Sequence, residues 1–148
     1  MELNKIMEVK ELFKFNEWWD TGKVSEKNLE KYKRYLFYKI QKFIKDRQII
    51  LITGLRRVGK TKLMYQIIHA LLEEKIDKKK ILYFSFDEET FDLKDVLETY
   101  RKEVLRKDFK EVDRIYVFFD EIQKVKNWEN KIKVYYDLNP NIKFFLSG

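Results

Sequence analysis

The 148-residue chain contains no cysteine, which excludes disulfide frameworks, thiolate zinc sites and cysteine nucleophiles. With a single histidine it also has little from which to build a zinc site of any other kind. No apolar run approaches the roughly 18 residues needed to cross a bilayer. The longest are Ile49-Ile50-Leu51-Ile52 and Tyr116-Val117-Phe118-Phe119. The N-terminus is too charged for a secretory signal, so the expectation is a cytoplasmic protein with no membrane partner. Glycine is scarce too: the chain has four, and two of them, Gly54 and Gly59, fall in one short segment.

What is present suits one folded domain. Hydrophobic residues make up 45% of the chain, with 12 Phe, 9 Tyr and 3 Trp, enough for a sizeable core and too many for a disordered polymer. Lys and Arg number 32 against 25 Asp and Glu, a formal charge of +7. Scattered charge at this density fits a solvated surface, and it equally fits a basic face for nucleic acid or another polyanion.

The first 24 residues carry aromatic anchors without a period, Phe13, Phe15, Trp18 and Trp19, and then a turn at Asp20-Thr21-Gly22. They read as an arm packed on the body. The two tryptophans could alternatively stack an adenine, although core packing is the favoured reading. Ser25 is placed to cap a helix whose apolar side recurs at Leu29, Tyr32, Leu36, Ile40, Phe43 and Ile44, running to about Lys45. Residues 1–47 thus read as an N-terminal arm and helix packed on the core, and residues 48–148 as the core itself.

In that core, short apolar runs at 49–53, 81–86, 115–119 and 142–146 alternate with helical segments. The first helix carries Leu63, Met64, Ile67, Ile68, Leu71 and Leu72, the second Leu93, Val96, Leu97, Tyr100 and Val104, and the third spans 128–136. Strands that alternate with helices and lack polar alternation predict an α/β fold with a parallel sheet covered on both faces.

Gly54-Leu55-Arg56-Arg57-Val58-Gly59-Lys60-Thr61 matches the phosphate-binding loop G-x-x-x-x-G-K-[ST], after an apolar strand and at the head of a striped helix. Glycine lets the backbone wrap a polyphosphate, and loop amides and the helix N-terminus supply donors. Lys60 would reach the β- and γ-phosphates, Thr61 would ligate Mg²⁺, and Lys62 completes the binding segment. Ile115 to Phe119 then ends in Asp120-Glu121, the Walker B pattern, in which one acid holds the metal's hydration shell and the next polarises an attacking water. Together the two motifs specify nucleoside triphosphate hydrolysis. A third strand end, at Ser147, would point at the γ-phosphate or the water if its strand lies between the two motif strands.

Other residues are weaker. His69 falls off the apolar stripe and reads as solvent-facing, and Asp87-Glu88-Glu89 read as the cap or start of the next helix, with a polar contact toward the nucleotide or a partner as the alternative. Arg56 and Arg57 point outward from the loop, either toward a polyanion or acidic neighbour or simply into water.

The runs Leu51 to Thr61, Phe119-Asp120-Glu121-Ile122-Gln123-Lys124-Val125 and Leu146-Ser147-Gly148 resemble the archaeal and bacterial AAA-type ATPases of the AAA_14 family, over roughly residues 48–148. The resemblance implies a three-layer α/β/α P-loop fold of the additional-strand class, ATP as ligand, Asp120 as metal partner and Glu121 as general base. Sheet order in that class is 5-1-4-3-2, so the four strands here should run 1-4-3-2. Family members continue into a fifth strand, an arginine finger, a lid and a further domain, so the chain reads as an N-terminal portion in which hydrolysis is slow. An arginine finger is worth roughly 10³–10⁵ in rate. A nucleotide-dependent switch acting on a protein partner, homo-oligomerisation and a DNA-acting motor remain alternative settings for the same core.

Overall fold

The computed structural model of the chain describes residues 6–29, 34–53, 57–87 and 91–148. Helices α1 (Val9–Phe13) and α2 (Trp18–Thr21) form the arm, and α3 (Arg34–Lys45) leads to β1 (Ile50–Ile52). Then follow α4 (Arg57–Glu73), β2 (Ile81–Ser85), α5 (Leu93–Thr99), β3 (Ile115–Asp120), α6 (Trp128–Leu138) and β4 (Ile142–Ser147). The helix expected to reach Val104 does so by changing pitch: beyond Thr99 it continues as a π-helical segment, Tyr100–Leu105.

All strand pairs are parallel and the order is β1-β4-β3-β2, as the resemblance implies. Every residue of β3 and β4 is buried, which is why neither run shows polar alternation. One face carries Tyr83, Phe118 and Phe145, the last two with rings stacked 4.3 Å apart, and α4 lies over it through Tyr65, whose ring is 4.9 Å from that of Tyr83. The other face carries Phe84, Phe86, Phe119 and Phe144, and α6, which packs on α5, lies on that side with Trp128, Ile132 and Tyr136 beside Leu146. The result is a three-layer α/β/α sandwich.

The arm seals the outer border of β2. Trp18 and Trp19 are buried, and both indole N–H groups donate to the Ile81 carbonyl, at 3.1 and 2.8 Å. Asn16 is fully buried, and its side-chain amide pairs with both backbone groups of Tyr83: Nδ2 donates to the carbonyl (2.9 Å) and Oδ1 accepts from the N–H (2.7 Å). One amide thereby does the work of a neighbouring strand. The tryptophans are committed to this border, which overturns their alternative role as an adenine platform.

Ser25 does not cap a helix with its side chain. A short 3-10 turn, Glu26–Asn28, follows it, its hydroxyl makes no capping bond, and its N–H bonds to Glu17 Oε1 at 2.7 Å. Tyr32 of the expected stripe lies outside the described residues, as does the side chain of Leu36.

At the opposite end of the sheet, Lys143 on β4 is fully buried, and its ammonium donates to the carbonyls of Asp46 (2.8 Å) and Gln48. Arg114 donates to the carbonyls of Ile44 (2.7 Å) and Asp46 (3.0 Å). Two cations therefore hold the C-terminal carbonyls of α3 and the link into β1, where a helix presents its unpaired acceptors.

Candidate active site

Asp120 is the last residue of β3 and Thr61 lies in the first turns of α4. The strand therefore aims its final carboxylate at the start of the helix on the same face of the sheet. The Thr61 hydroxyl donates to Asp120 Oδ2 at 2.5 Å, and the Tyr83 phenol donates to the same oxygen at 2.7 Å. The other oxygen, Oδ1, accepts from the Ser147 hydroxyl and from the Glu121 N–H at 3.1 Å. All four partners donate, as an acceptor-only carboxylate requires.

Ser147 ends β4, which lies between β1 and β3, the location on which its expected role depended. It is fully buried, with its hydroxyl on Asp120 and within 3.3 Å of the Glu121 N–H.

Glu121 leaves the strand in a left-handed conformation, φ 56° and ψ 43°, which costs a non-glycine residue roughly 1–2 kcal/mol. Its side chain is buried, and Oε2 accepts from Gln123 Nε2 at 2.6 Å. Gln123 also packs against Gly148, where a Cβ would collide with its side-chain oxygen.

Lys60 is only 9% exposed, and Gly59, Thr61 and Lys62 are half-buried around it at the head of α4. Gly54, Leu55 and Arg56 lie outside the described residues, as do the side chains of Arg57 and Val58. Glu88 and Glu89 are outside as well, whereas Asp87 accepts an ion pair from Lys124 at 3.0 Å. His69 is half-buried and sits 3.2 Å from Glu73, one turn further along α4.

Two groups in or beside the site carry no motif, Tyr83 and Tyr65, and a third, Gln123, falls in the run that carries the family resemblance but is given no role by it. Tyr83 reads in sequence as one more apolar strand residue. Its phenol is held protonated far beyond physiological pH, first by burial and then by the neighbouring Tyr65 and Asp120, so it is a standing donor. Burial likewise pushes Tyr65 up to about 12.

The oxygen donors Thr61 and Asp120 suit a hard cation. Among the described residues no cluster of three or more His, Asp and Glu side chains forms a cage of its own. A magnesium ion shared with a bound polyphosphate needs only one or two protein oxygens. No helix among the described residues is long and apolar enough to cross a membrane.

A family model, AAA_14, described as an AAA domain, matches residues 46–148. The chain is 37% identical over 115 residues to an uncharacterised protein of Methanocaldococcus jannaschii, an alignment covering 74% of this chain and 24% of that protein. The chain thus spans about a quarter of the length of the curated relative it matches. No solved structure matches it.

Proposed function

The chain belongs to the AAA_14 family of AAA-domain proteins, and from that premise we propose that its nucleotide-binding, ATPase-like core binds ATP with Mg²⁺ and hydrolyses it. The observation that carries this reading is the Thr61–Asp120 hydrogen bond, which brings the head of α4 to the acids at the end of β3. Bound magnesium would neutralise charge on the β- and γ-phosphates.

In this reading Lys60 and the amides of Gly54, Leu55, Arg56, Arg57, Val58, Gly59 and Lys62 cradle the phosphates. Thr61 keeps its proton on Asp120, which leaves a hydroxyl lone pair for the metal. Asp120, held by its donors, orients Thr61 and the metal's hydration shell. Glu121 takes a proton from the attacking water, with Gln123 fixing one of its carboxylate oxygens. Ser147 supports this set by steadying Asp120 and the Glu121 backbone. The choice of ATP over GTP follows the family.

The test is nucleotide binding and hydrolysis with and without magnesium in wild type, Lys60→Ala and Glu121→Gln. Lys60→Ala should lose affinity, and Glu121→Gln should keep binding while losing turnover. Equal binding by wild type and Lys60→Ala refutes the site.

A nucleic-acid-acting setting is favoured by α3. It has no acidic residue, and it exposes Lys39, Lys42 and Lys45 beside Tyr35 and Tyr38, residues 55% and 56% exposed. Cations interleaved with aromatic faces suit single strands. Binding that weakens steeply with salt supports this setting, and absence of binding at low salt removes it.

A further inference from the structure

A continuous set of buried polar contacts runs from the N-terminal arm to the carboxylate at the centre of the site. Asn16 uses one amide hydrogen on the Leu12 carbonyl at 2.7 Å, which ties it to α1, and the other on the Tyr83 carbonyl. Its oxygen takes the Tyr83 N–H, so the backbone of Tyr83 is gripped on both sides of its Cα. The ring of Phe15 sits 6.1 Å from the Tyr83 ring, and Trp18 touches Tyr65, which in turn packs on Tyr83. The other end of Tyr83, its phenol, is on Asp120 Oδ2.

The chemistry of Oδ2 makes this contact consequential. Two donors reach that oxygen, and one of them, Thr61, is the hydroxyl that must turn its lone pair toward a cation. If Thr61 alone held Oδ2, any movement of the hydroxyl toward the metal would leave that oxygen unheld, with the carboxylate fixed only through Oδ1 by Ser147 and the Glu121 N–H. A second donor from the sheet keeps Oδ2 in place independently of Thr61. Tyr83 is suited to this because a neutral phenol donates without adding charge.

We propose that Tyr83 is a positioning residue for Asp120 and that Asn16 sets its place on the sheet border, so that the arm is a working part of the site. This rests on the nucleotide reading for its consequence in metal binding, but the contact itself is testable without nucleotide.

The experiment uses the full chain as wild type, Tyr83→Phe, Asn16→Ala and Trp19→Phe. It reads two quantities: the Mg²⁺ concentration for half-maximal binding of a fluorescent ATP analogue, and hydrogen exchange at the Glu121 amide, which bonds Asp120 Oδ1, in ligand-free protein. Loss of a hydrogen bond to a charged group should raise half-saturating Mg²⁺ roughly tenfold in Tyr83→Phe, with metal-free nucleotide binding unchanged. Exchange at the Glu121 amide should quicken. Asn16→Ala should move both quantities in the same direction. Trp19→Phe, which loses a bond to the same strand border but not to Tyr83, should lower the melting temperature and move neither. Unchanged exchange and Mg²⁺ dependence in Tyr83→Phe overturn the proposal, and an Asn16→Ala effect no larger than that of Trp19→Phe overturns the role of the arm. Should the wild type bind no nucleotide, the functional reading fails, and the exchange measurement still decides the positioning role.

Discussion

Thr61 and Asp120 stand 59 positions apart in the chain and 2.5 Å apart in the fold. Their bond lies inside a cluster that also holds Tyr83, Ser147 and the Glu121 amide. The stability of this region and the chemistry proposed for it therefore share the same atoms.

Asp120→Ala removes the acceptor of two buried hydroxyl donors, Tyr83 and Ser147. Leaving them unsatisfied should cost about 3 kcal/mol in urea denaturation, since each orphaned buried polar group costs roughly 1–3 kcal/mol. Adding Tyr83→Phe to Asp120→Ala should recover part of that loss. A double variant less stable than Asp120→Ala by the full single-site cost of Tyr83→Phe would mean that the pair is not coupled.

Glu121 can be separated into backbone and side chain. Glu121→Ala keeps the left-handed backbone and loses the carboxylate, whereas Glu121→Gly loses both the carboxylate and the steric cost. The glycine variant should be about 1 kcal/mol more stable than the alanine variant in denaturant titration. Equal stability would show that the conformation carries no strain.

Lys143 predicts a pH dependence. Burial, aided by the nearby Arg114, brings its ammonium from the usual 10.5 down to about 8. Between those values the unfolded chain holds a proton that the folded protein has released, so this group makes stability rise with pH across that window. The penalty for burying the charge is fully present below about pH 8. Urea midpoints at pH 7, 9 and 10.5 should show Lys143→Met lacking this rise, a difference on the order of 3 kcal/mol. Parallel curves for the two proteins would contradict it.

Leu51 is 53% exposed on β1, which among the described residues pairs with β4 alone. Beside it, Ile49, Trp128, Ile132, Tyr136 and Leu146 line an apolar groove of about 350 Å³. An open strand border of this kind promotes association. Leu51→Lys should shift sedimentation toward monomer at high protein concentration, and indifference to the substitution would locate any association elsewhere.

The core was legible in sequence because its strands are buried on both faces and read as unbroken apolar runs, and because the phosphate-loop motif separates an apolar run from a helical stripe, with Gly59 and Lys60 in the first turn of α4. Strand ends were less exact: Asp120 and Ser147 belong to β3 and β4, one position beyond the apolar runs, since their side chains are buried by hydrogen bonds instead of by hydrophobicity. The grip of Asn16 on Tyr83 left no signal. A lone asparagine in an aperiodic segment and a tyrosine in an apolar strand reveal their partnership only when the border of β2 is placed beside the arm. Ser25 misled because the turn that follows it is 3-10, where its hydroxyl finds no amide to accept from.

The arm also gives the sheet a direction of growth. With Ile81 and Tyr83 already engaged by Trp18, Trp19 and Asn16, the sheet border that the described residues leave uncovered along its length is that of β1, where a newcomer strand would enter. Two copies meeting there about a twofold axis would each turn a closed flank outward, an isologous arrangement that terminates at a pair and cannot propagate into a fibre.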